Sequence, residues 1–205
     1  YWIDRTEVTN EAYQAFLKAT HYRPRNITNF LRHWQRTPKQ SQEPWTWLIP
    51  ADKAQHPVVW IDLGDARAYA LWAGKRLPRE EEWQRAAGPA IWPWGERFDP
   101  SLCNSGSGDT TAVDQFPGGV SSSGCLDMAG NVWEWTESER DDGHTRYSIL
   151  RGGSYLKVEG SKWYTASGAQ PNDCHEKMLL LYSGLDRCST IGFRCVKDTQ
   201  KAKSL

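Results

Sequence analysis

Aromatic side chains supply most of the apolar material in this chain. Its 205 residues include 12 Trp, 8 Tyr and 5 Phe, although hydrophobic residues make up only 39% and the mean hydropathy is −0.71. Because a large ring buries much apolar area, a core built from rings is compatible with this low hydropathy, and a disordered chain is excluded. The length suits one core, so we predict a single domain over residues 1–205.

The charge balance argues against partners that are recognised by charge alone. Lys and Arg number 25 and Asp and Glu number 25, so no overall field attracts nucleic acid or an anionic membrane. The longest apolar run, 178–182, is far shorter than the roughly 20 residues of a membrane span. No signal peptide opens the chain, which begins with the strand-like Tyr1-Trp2-Ile3-Asp4, so we expect it to be truncated from a larger protein.

Three segments carry the signals of short helices. Each has an apolar face at helical spacing and starts near a residue that suits a helix N-terminus, and two of them stop at a glycine. The predicted helices are 11–18 after Thr9 or Asn10, a second from Asp62 or Asp65 to Gly74, and a third from Pro78 to Gly88.

Most of the remaining chain is predicted to be irregular. Four prolines and three Trp punctuate residues 21–56, which indicates a long loop that is functional or is held in place by its own rings. Short extended pieces are predicted at 56–61, 133–136, 149–150 and 191–196. The pattern therefore indicates short helices and short extended pieces separated by much irregular backbone.

Several sequence segments occur together in one order. They are Trp-Ala-Gly-Lys-Arg-Leu-Pro (72–78), Trp-Pro-Trp-Gly (92–95), Gly-Asn-Val-Trp-Glu-Trp (130–135), Arg-Gly-Gly-Ser (151–154) and Gly-Phe-Arg-Cys (192–195). This set resembles the sulfatase-modifying-factor family, that of formylglycine-generating enzyme, from Ile3 to Cys195. The resemblance implies an irregular α+β fold related to C-type lectins, with two main helices, short strands, many loops and often bound calcium.

A calcium site is implied by the same resemblance. Two carboxylates flank a glycine-containing turn, and carboxylate and carbonyl oxygens are the hard ligands that Ca²⁺ prefers. Alternatively, Glu134 is the buried partner of an arginine such as Arg151 or Arg194. The implied ligands are the carboxylates of Asp127 and Glu134 and the carbonyls of Gly130 and Val132.

A second calcium site would lie around Asn104, Ser105 and Asp109. The loop that carries these residues is shorter than in the enzyme of the family, so this site is a weaker expectation.

The positions that carry copper chemistry in the family are changed. The enzyme holds copper with two cysteines shortly after Gly-Gly-Ser, and these positions are Lys157 and Lys162 here. An ammonium group has no lone pair for Cu(I), which prefers thiolates. Copper-dependent formylglycine formation is therefore excluded, unless Cys174 or Cys188 occupies the site instead.

The segment around these lysines is expected to lie over the groove of the family's active site. Mixed charges, amides and rings can bind a polar ligand such as a glycan or a peptide. A plain solvated surface is the alternative. The candidate groove residues are Glu159, Trp163, Tyr164, Asn172, Asp173, His175 and Glu176.

Two function classes follow. The favoured one is a ligand-binding or accessory domain that is steadied by calcium and works with other domains of the same polypeptide. The alternative is a non-heme iron oxidoreductase resembling ergothioneine sulfoxide synthase or the pyoverdine maturation protein. Its iron would need His175, Glu176 and one further histidine. Adjacent side chains on a strand diverge, which disfavours this set. The candidate third ligands are His21, His33, His56 and His144.

An extracytoplasmic setting is the expectation from calcium and from possible disulfides. Cysteine spacing leaves the pairing open between Cys174 with Cys188 and Cys103 with Cys125.

Overall fold

A computed structural model of the chain describes residues 1–40, 42–158, 167–180 and 184–199. Helices fill the first half and a sheet the second, so the predicted α+β class is confirmed. Two helices have 11 and 10 residues, and a third has eight. The helices are α1 (Asn10–Thr20), α2 (Leu63–Trp72) and α3 (Glu80–Ala87). The strands are β1 (Trp2–Ile3), β2 (Trp133–Asp141), β3 (Arg146–Arg151), β4 (His175–Leu179), β5 (Ile191–Gly192) and β6 (Val196–Lys197).

The helices begin where side chains satisfy free backbone amides. The Thr9 hydroxyl accepts from the Ala12 amide at 3.2 Å. Asp62 and Asp65 each accept from the other's backbone amide, at 2.8 and 2.9 Å, and form a capping box at the start of α2. At the start of α3 the cap residue is Arg79, whose side chain has no hydrogen-bond acceptor. The Glu82 carboxylate instead accepts from the Arg79 backbone amide at 2.8 Å.

Four strands form the main sheet in the order β4-β3-β2-β5. β3 is antiparallel to both neighbours, whereas β2 and β5 run parallel. β2 extends five residues beyond its predicted end at 136. The predicted extended piece at 191–196 divides, because β5 joins this sheet while β6 pairs with β1. The two chain ends therefore meet, and β4 is one edge of the main sheet.

Aromatic rings form the core, as the composition indicates. Tyr13 of α1 stacks on Tyr69 of α2 at 5.6 Å between ring centroids, and Phe193 meets both rings edge-on. In the long loop, Trp34 and Trp47 are buried in the same core. The loop is therefore held by its own rings. Within the described ranges, no helix has the length and apolar character needed to cross a bilayer.

Candidate functional site

A buried ion pair lies where the two chain ends and β2 meet. Arg194 and Glu134 are both fully buried, and two guanidinium nitrogens each lie 2.7 Å from a different oxygen of the carboxylate. The Trp83 ring nitrogen donates to the same carboxylate at 2.8 Å. Arg194 also donates to the carbonyl oxygen of Leu126 at 2.8 Å. Glu134 is thus the buried partner of Arg194, as in the alternative that the sequence left open beside a role as a calcium ligand.

Two further carboxyl groups lie close to this pair. Glu7 and Asp127 are 2% and 6% exposed, and each has one buried oxygen, Oε2 and Oδ2 respectively, with no hydrogen-bond partner among the described residues. Burial raises the pKa of Asp127 to about 7, and the charge of Glu134 adds to this effect while Arg194 opposes it. Burial and the charge of Asp127 hold the pKa of Glu7 well above its usual range.

The loop after Asp127 owes its shape to backbone of positive φ. Asp127, Gly130 and Asn131 have φ of 56°, 87° and 57°, a region that favours glycine and tolerates Asp and Asn. A Cβ on Gly130 would lie 2.4 Å from the carbonyl oxygen of Asn104, so only glycine fits there. The Asn131 amide then donates to Glu7 Oε1 at 3.2 Å. The loop therefore ties Asp127 and Glu7 into one cluster.

This arrangement changes which carboxylates are available as calcium ligands. Asp127 keeps an oxygen that no protein group uses, whereas Glu134 is engaged by Arg194. Glu7 was not among the predicted ligands. The sequence gives no motif that singles out Glu7, since it is a single glutamate in an irregular segment. Its position beside Asp127 is known only from the fold. In the described part of the chain, no three His, Cys, Asp or Glu side chains are arranged to hold a metal, so a cation would need backbone carbonyls as well.

The residues of the second predicted calcium site have other partners. The buried Asn104 amide donates to the backbone carbonyl of Asp109 at 2.9 Å. The Asp109 carboxylate is exposed and pairs with Lys53 at 2.8 Å. The Ser105 hydroxyl accepts from the Ala169 amide at 2.9 Å. The three side chains thus stabilise neighbouring loops.

The first position of the family's cysteine pair is on the surface. Lys157 is exposed, and its aliphatic part lies beside Gly106 and Gly168. Lys162 and the groove candidates Glu159, Trp163 and Tyr164 lie outside the described residues. All five cysteines are described and none is in a disulfide. Burial raises the pKa of the Cys174 thiol, which disfavours the thiolate that copper would need.

The remaining groove candidates do not share one surface. Asn172 is buried, and its amide donates to the carbonyl of Ala90 at 3.0 Å, with two longer bonds to the end of α3. The amide donors of Asn172 are thus used internally, whereas its buried Oδ1 has no hydrogen-bond partner among the described residues. Asp173 and His175 are exposed at the start of the edge strand β4, and Glu176 is half-buried.

The histidines proposed for iron are also separate. His175 and Glu176 are neighbours on β4 and point to opposite faces of the sheet. His21 stacks on Trp45 at 4.8 Å, and His144 lies in the exposed turn between β2 and β3. The geometry gives the two-histidine, one-carboxylate arrangement no support among the described side chains.

The family of the chain follows from the match of almost its whole length. Residues 1–199 match the family described as the sulfatase-modifying factor enzyme 1-like domain. The chain belongs to this family. The resemblance read from the sequence motifs is therefore confirmed.

The relatives include proteins named as formylglycine-generating enzymes and proteins named as inactive. The chain is 29% identical to the inactive C-alpha-formylglycine-generating enzyme 2 of Bos taurus, over 94% of its own length and 75% of that protein. It is 31% identical to the formylglycine-generating enzyme of Thermomonospora curvata, over 97% of its own length and 82% of that protein. It is also 31% identical to the serine/threonine-protein kinase Pkn1 of Chlamydia trachomatis, over 98% of its length but only 33% of the kinase.

Solved structures show the same fold. The crystal structure of CarF matches 97% of this chain and 86% of its own, with a TM-score of 0.63 and 23% identity. The U1 variant of the Major Tropism Determinant matches 96% of this chain and 50% of its own, with a TM-score of 0.51 and 15% identity. The formylglycine-generating-enzyme-like fold, related to C-type lectins, is thus confirmed.

Proposed function

We propose that this chain is a ligand-binding or accessory domain of a larger protein, that calcium stabilises it, and that it does not form formylglycine with copper. The observation that carries the calcium proposal is the pair of buried, unpartnered oxygens on Glu7 and Asp127. Three buried carboxyl groups face one guanidinium, which is already paired with Glu134. Ionised carboxylates that are buried without compensation are costly, and a divalent cation would remove that cost.

The oxygen chemistry of these residues would suit such a cation. Asp127 and Glu7 would supply carboxylate oxygens, and the backbone of the loop after Asp127 would supply the carbonyls of Gly130 and Val132. Hard oxygen donors of this kind suit Ca²⁺ in preference to copper. Calcium would link the N-terminal segment to the loop before β2, and therefore stabilise the fold.

The lysine positions support the non-copper part of the proposal. Neither Lys157 nor Lys162 can supply the thiolate of a Cu(I) site. The similarity to a protein named as inactive agrees with this chemistry.

A role within a larger polypeptide is supported by the relative in which the matched segment is one third of a kinase. Of the residues predicted for the groove, Asp173 and His175 are exposed at the start of an edge strand. An exposed carboxylate and imidazole at this edge suit a polar ligand, such as a glycan or a peptide.

Metal analysis tests the calcium proposal. Purified protein is dialysed against equal calcium, copper and iron under anaerobic conditions, and bound metal is measured. We expect about one calcium per chain and no retained copper or iron. The double variant Glu7→Gln/Asp127→Asn should lose the calcium, whereas the exposed control Glu96→Gln should keep it. Stoichiometric copper or iron, or calcium retained by the double variant, would refute the proposal.

Glycan and peptide arrays test the ligand proposal. Asp173→Ala and His175→Ala should reduce binding to any array member that the parent protein recognises. His144→Ala, which removes an exposed histidine from a distant turn, should leave binding unchanged. Equal loss in all three variants, or in none, would contradict a ligand surface at the start of β4.

A further inference from the structure

One edge of the main sheet carries unused backbone hydrogen-bonding groups. β4 lies at this edge and pairs with β3 on one side only. The Leu180 amide donates to the Arg146 carbonyl oxygen at 2.8 Å, and the two strands keep this register throughout. Hydrogen-bonded pairs alternate in an antiparallel ladder, so every second residue of β4 directs its amide and carbonyl away from β3. These residues are His175, Lys177 and Leu179.

No backbone or side-chain group among the described residues pairs with these outward amides and carbonyls. Lys177 is exposed, Leu179 is 41% exposed, and Met178 is half-buried against the main core. A lysine on an edge strand can oppose pairing with another strand. The Lys177 ammonium, however, lies 5.1 Å from the centre of the Tyr147 ring on β3, and therefore leans back over its own sheet. The edge is thus open to a further strand.

The sequence of this edge favours association with another chain. The longest apolar run of the protein, 178–182, starts on β4. An apolar strand with unpaired backbone groups is a template for strand pairing between chains. A second copy of the same chain offers an identical edge, and most soluble oligomers are symmetric assemblies of identical chains.

Charge selects one register for two copies of β4. Three two-fold axes near the middle of the strand keep the outward groups of both copies opposite one another. An axis at Glu176 would place two carboxylates side by side, and an axis at Lys177 would do the same with two ammonium groups. Like charges that lie directly opposite each other destabilise a sheet. An axis at Met178 avoids both conflicts, because it places methionine beside methionine and Lys177 opposite Leu179.

We propose that the protein forms a homodimer in which two copies of β4 pair antiparallel about Met178. The two four-stranded sheets then form one continuous sheet across the dimer. The paired stretch is 176–180, so Asp173 of the proposed ligand surface lies outside it. An interface of one short strand from each copy is smaller than the roughly 1,200 Å² of a stable complex, so the dimer forms at micromolar or higher concentration.

Sedimentation velocity between about 5 and 500 µM tests the dimer, and two changes at one position test its register. Leu179→Glu places a carboxylate opposite Lys177 of the second copy, whereas Leu179→Lys places an ammonium there. Each change occurs twice in the dimer, so the dissociation constant should fall by at least about twofold in the first variant and rise by at least about twofold in the second. Leu71→Glu and Leu71→Lys, at an 80% exposed leucine of α2, are the matched controls and should leave it unchanged. A protein that is monomeric at every concentration, or a dimer that responds equally to both changes at Leu179, would overturn the proposal.

Disulfide formation measures the register directly. Across the proposed axis the two Met178 residues form a non-hydrogen-bonded pair with Cα atoms about 4.5 Å apart, which suits a disulfide. The two Lys177 residues are about 8 Å apart, because they are offset by two residues along the strands. In a Cys174→Ser background, Met178→Cys should therefore give a covalent dimer on mild oxidation, and Lys177→Cys should give much less. Preferential cross-linking of Lys177→Cys, or none in either variant, would overturn the register. Circular dichroism confirms that both variants are folded.

Discussion

Replacing Asp127 with asparagine should make the protein more stable without calcium and less responsive to it. The change keeps the shape of the side chain and removes its charge. A pKa of about 7, in place of the usual 3.8, means that ionising the buried carboxyl costs about 4 kcal/mol. At pH 8 and in excess chelator the parent protein carries this cost and the variant does not.

We therefore expect Asp127→Asn to be more stable than the parent in chelator by about 2–4 kcal/mol. In a domain of this size, 1 kcal/mol corresponds to roughly 2–4 °C in melting temperature. Calcium at 100 times its dissociation constant should add about 2.7 kcal/mol to the parent and little to the variant. The difference between the two proteins should therefore shrink or change sign when calcium is added.

Thermal unfolding at pH 8, followed by circular dichroism, gives the melting temperature of the parent and of the variant, each with chelator and with calcium. Glu96→Gln serves as the control for the loss of one exposed negative charge. If Asp127→Asn is less stable than the parent by the same amount in both buffers, Asp127 is a purely structural residue. The assignment of a cation to its unpartnered oxygen would then be wrong.

Three further changes test the same cluster. Burial raises the pKa of Asp127 and of Glu7 in the folded state, so without calcium their protonated forms should stabilise the protein near pH 4, and this stability should be lost as pH rises to about 7. Urea unfolding should therefore show a steeper pH dependence of stability for the parent than for the double variant Glu7→Gln/Asp127→Asn. Arg194→Leu should cost about 3–5 kcal/mol in urea unfolding, since it leaves Glu134 buried without its partner, and a loss below 1 kcal/mol would contradict a central role for this ion pair. Gly130→Ala should lower the free energy of unfolding by about 2 kcal/mol or more and abolish the calcium-dependent rise in melting temperature, because the new Cβ would lie 2.4 Å from the Asn104 carbonyl oxygen. Gly143→Ala, where the new Cβ would meet open space at a φ of 85°, is the matched control for backbone strain alone.

The amino-acid sequence alone indicated the family and its fold class. Helix-capping residues act within one turn, so the sequence placed the start of α1 at Thr9 or Asn10 and that of α2 at Asp62 or Asp65. The structure has the caps at Thr9 and Asp62. The ordered motifs indicated the family because each keeps its local sequence. Likewise, a lysine cannot act as a thiolate in any fold, so Lys157 and Lys162 predict that the family's copper site is missing, unless Cys174 or Cys188 supplies its thiolates.

The tertiary structure alone decided which polar groups are satisfied. Glu7 and Asp127 are 120 residues apart, and only the meeting of the N-terminal segment with the loop before β2 buries them together. The same packing assigned Glu134 to Arg194 rather than to Arg151, and turned Asn172 inward to the end of α3. A hydrogen bond needs its partner within about 3 Å, and sequence spacing does not fix such distances between remote segments.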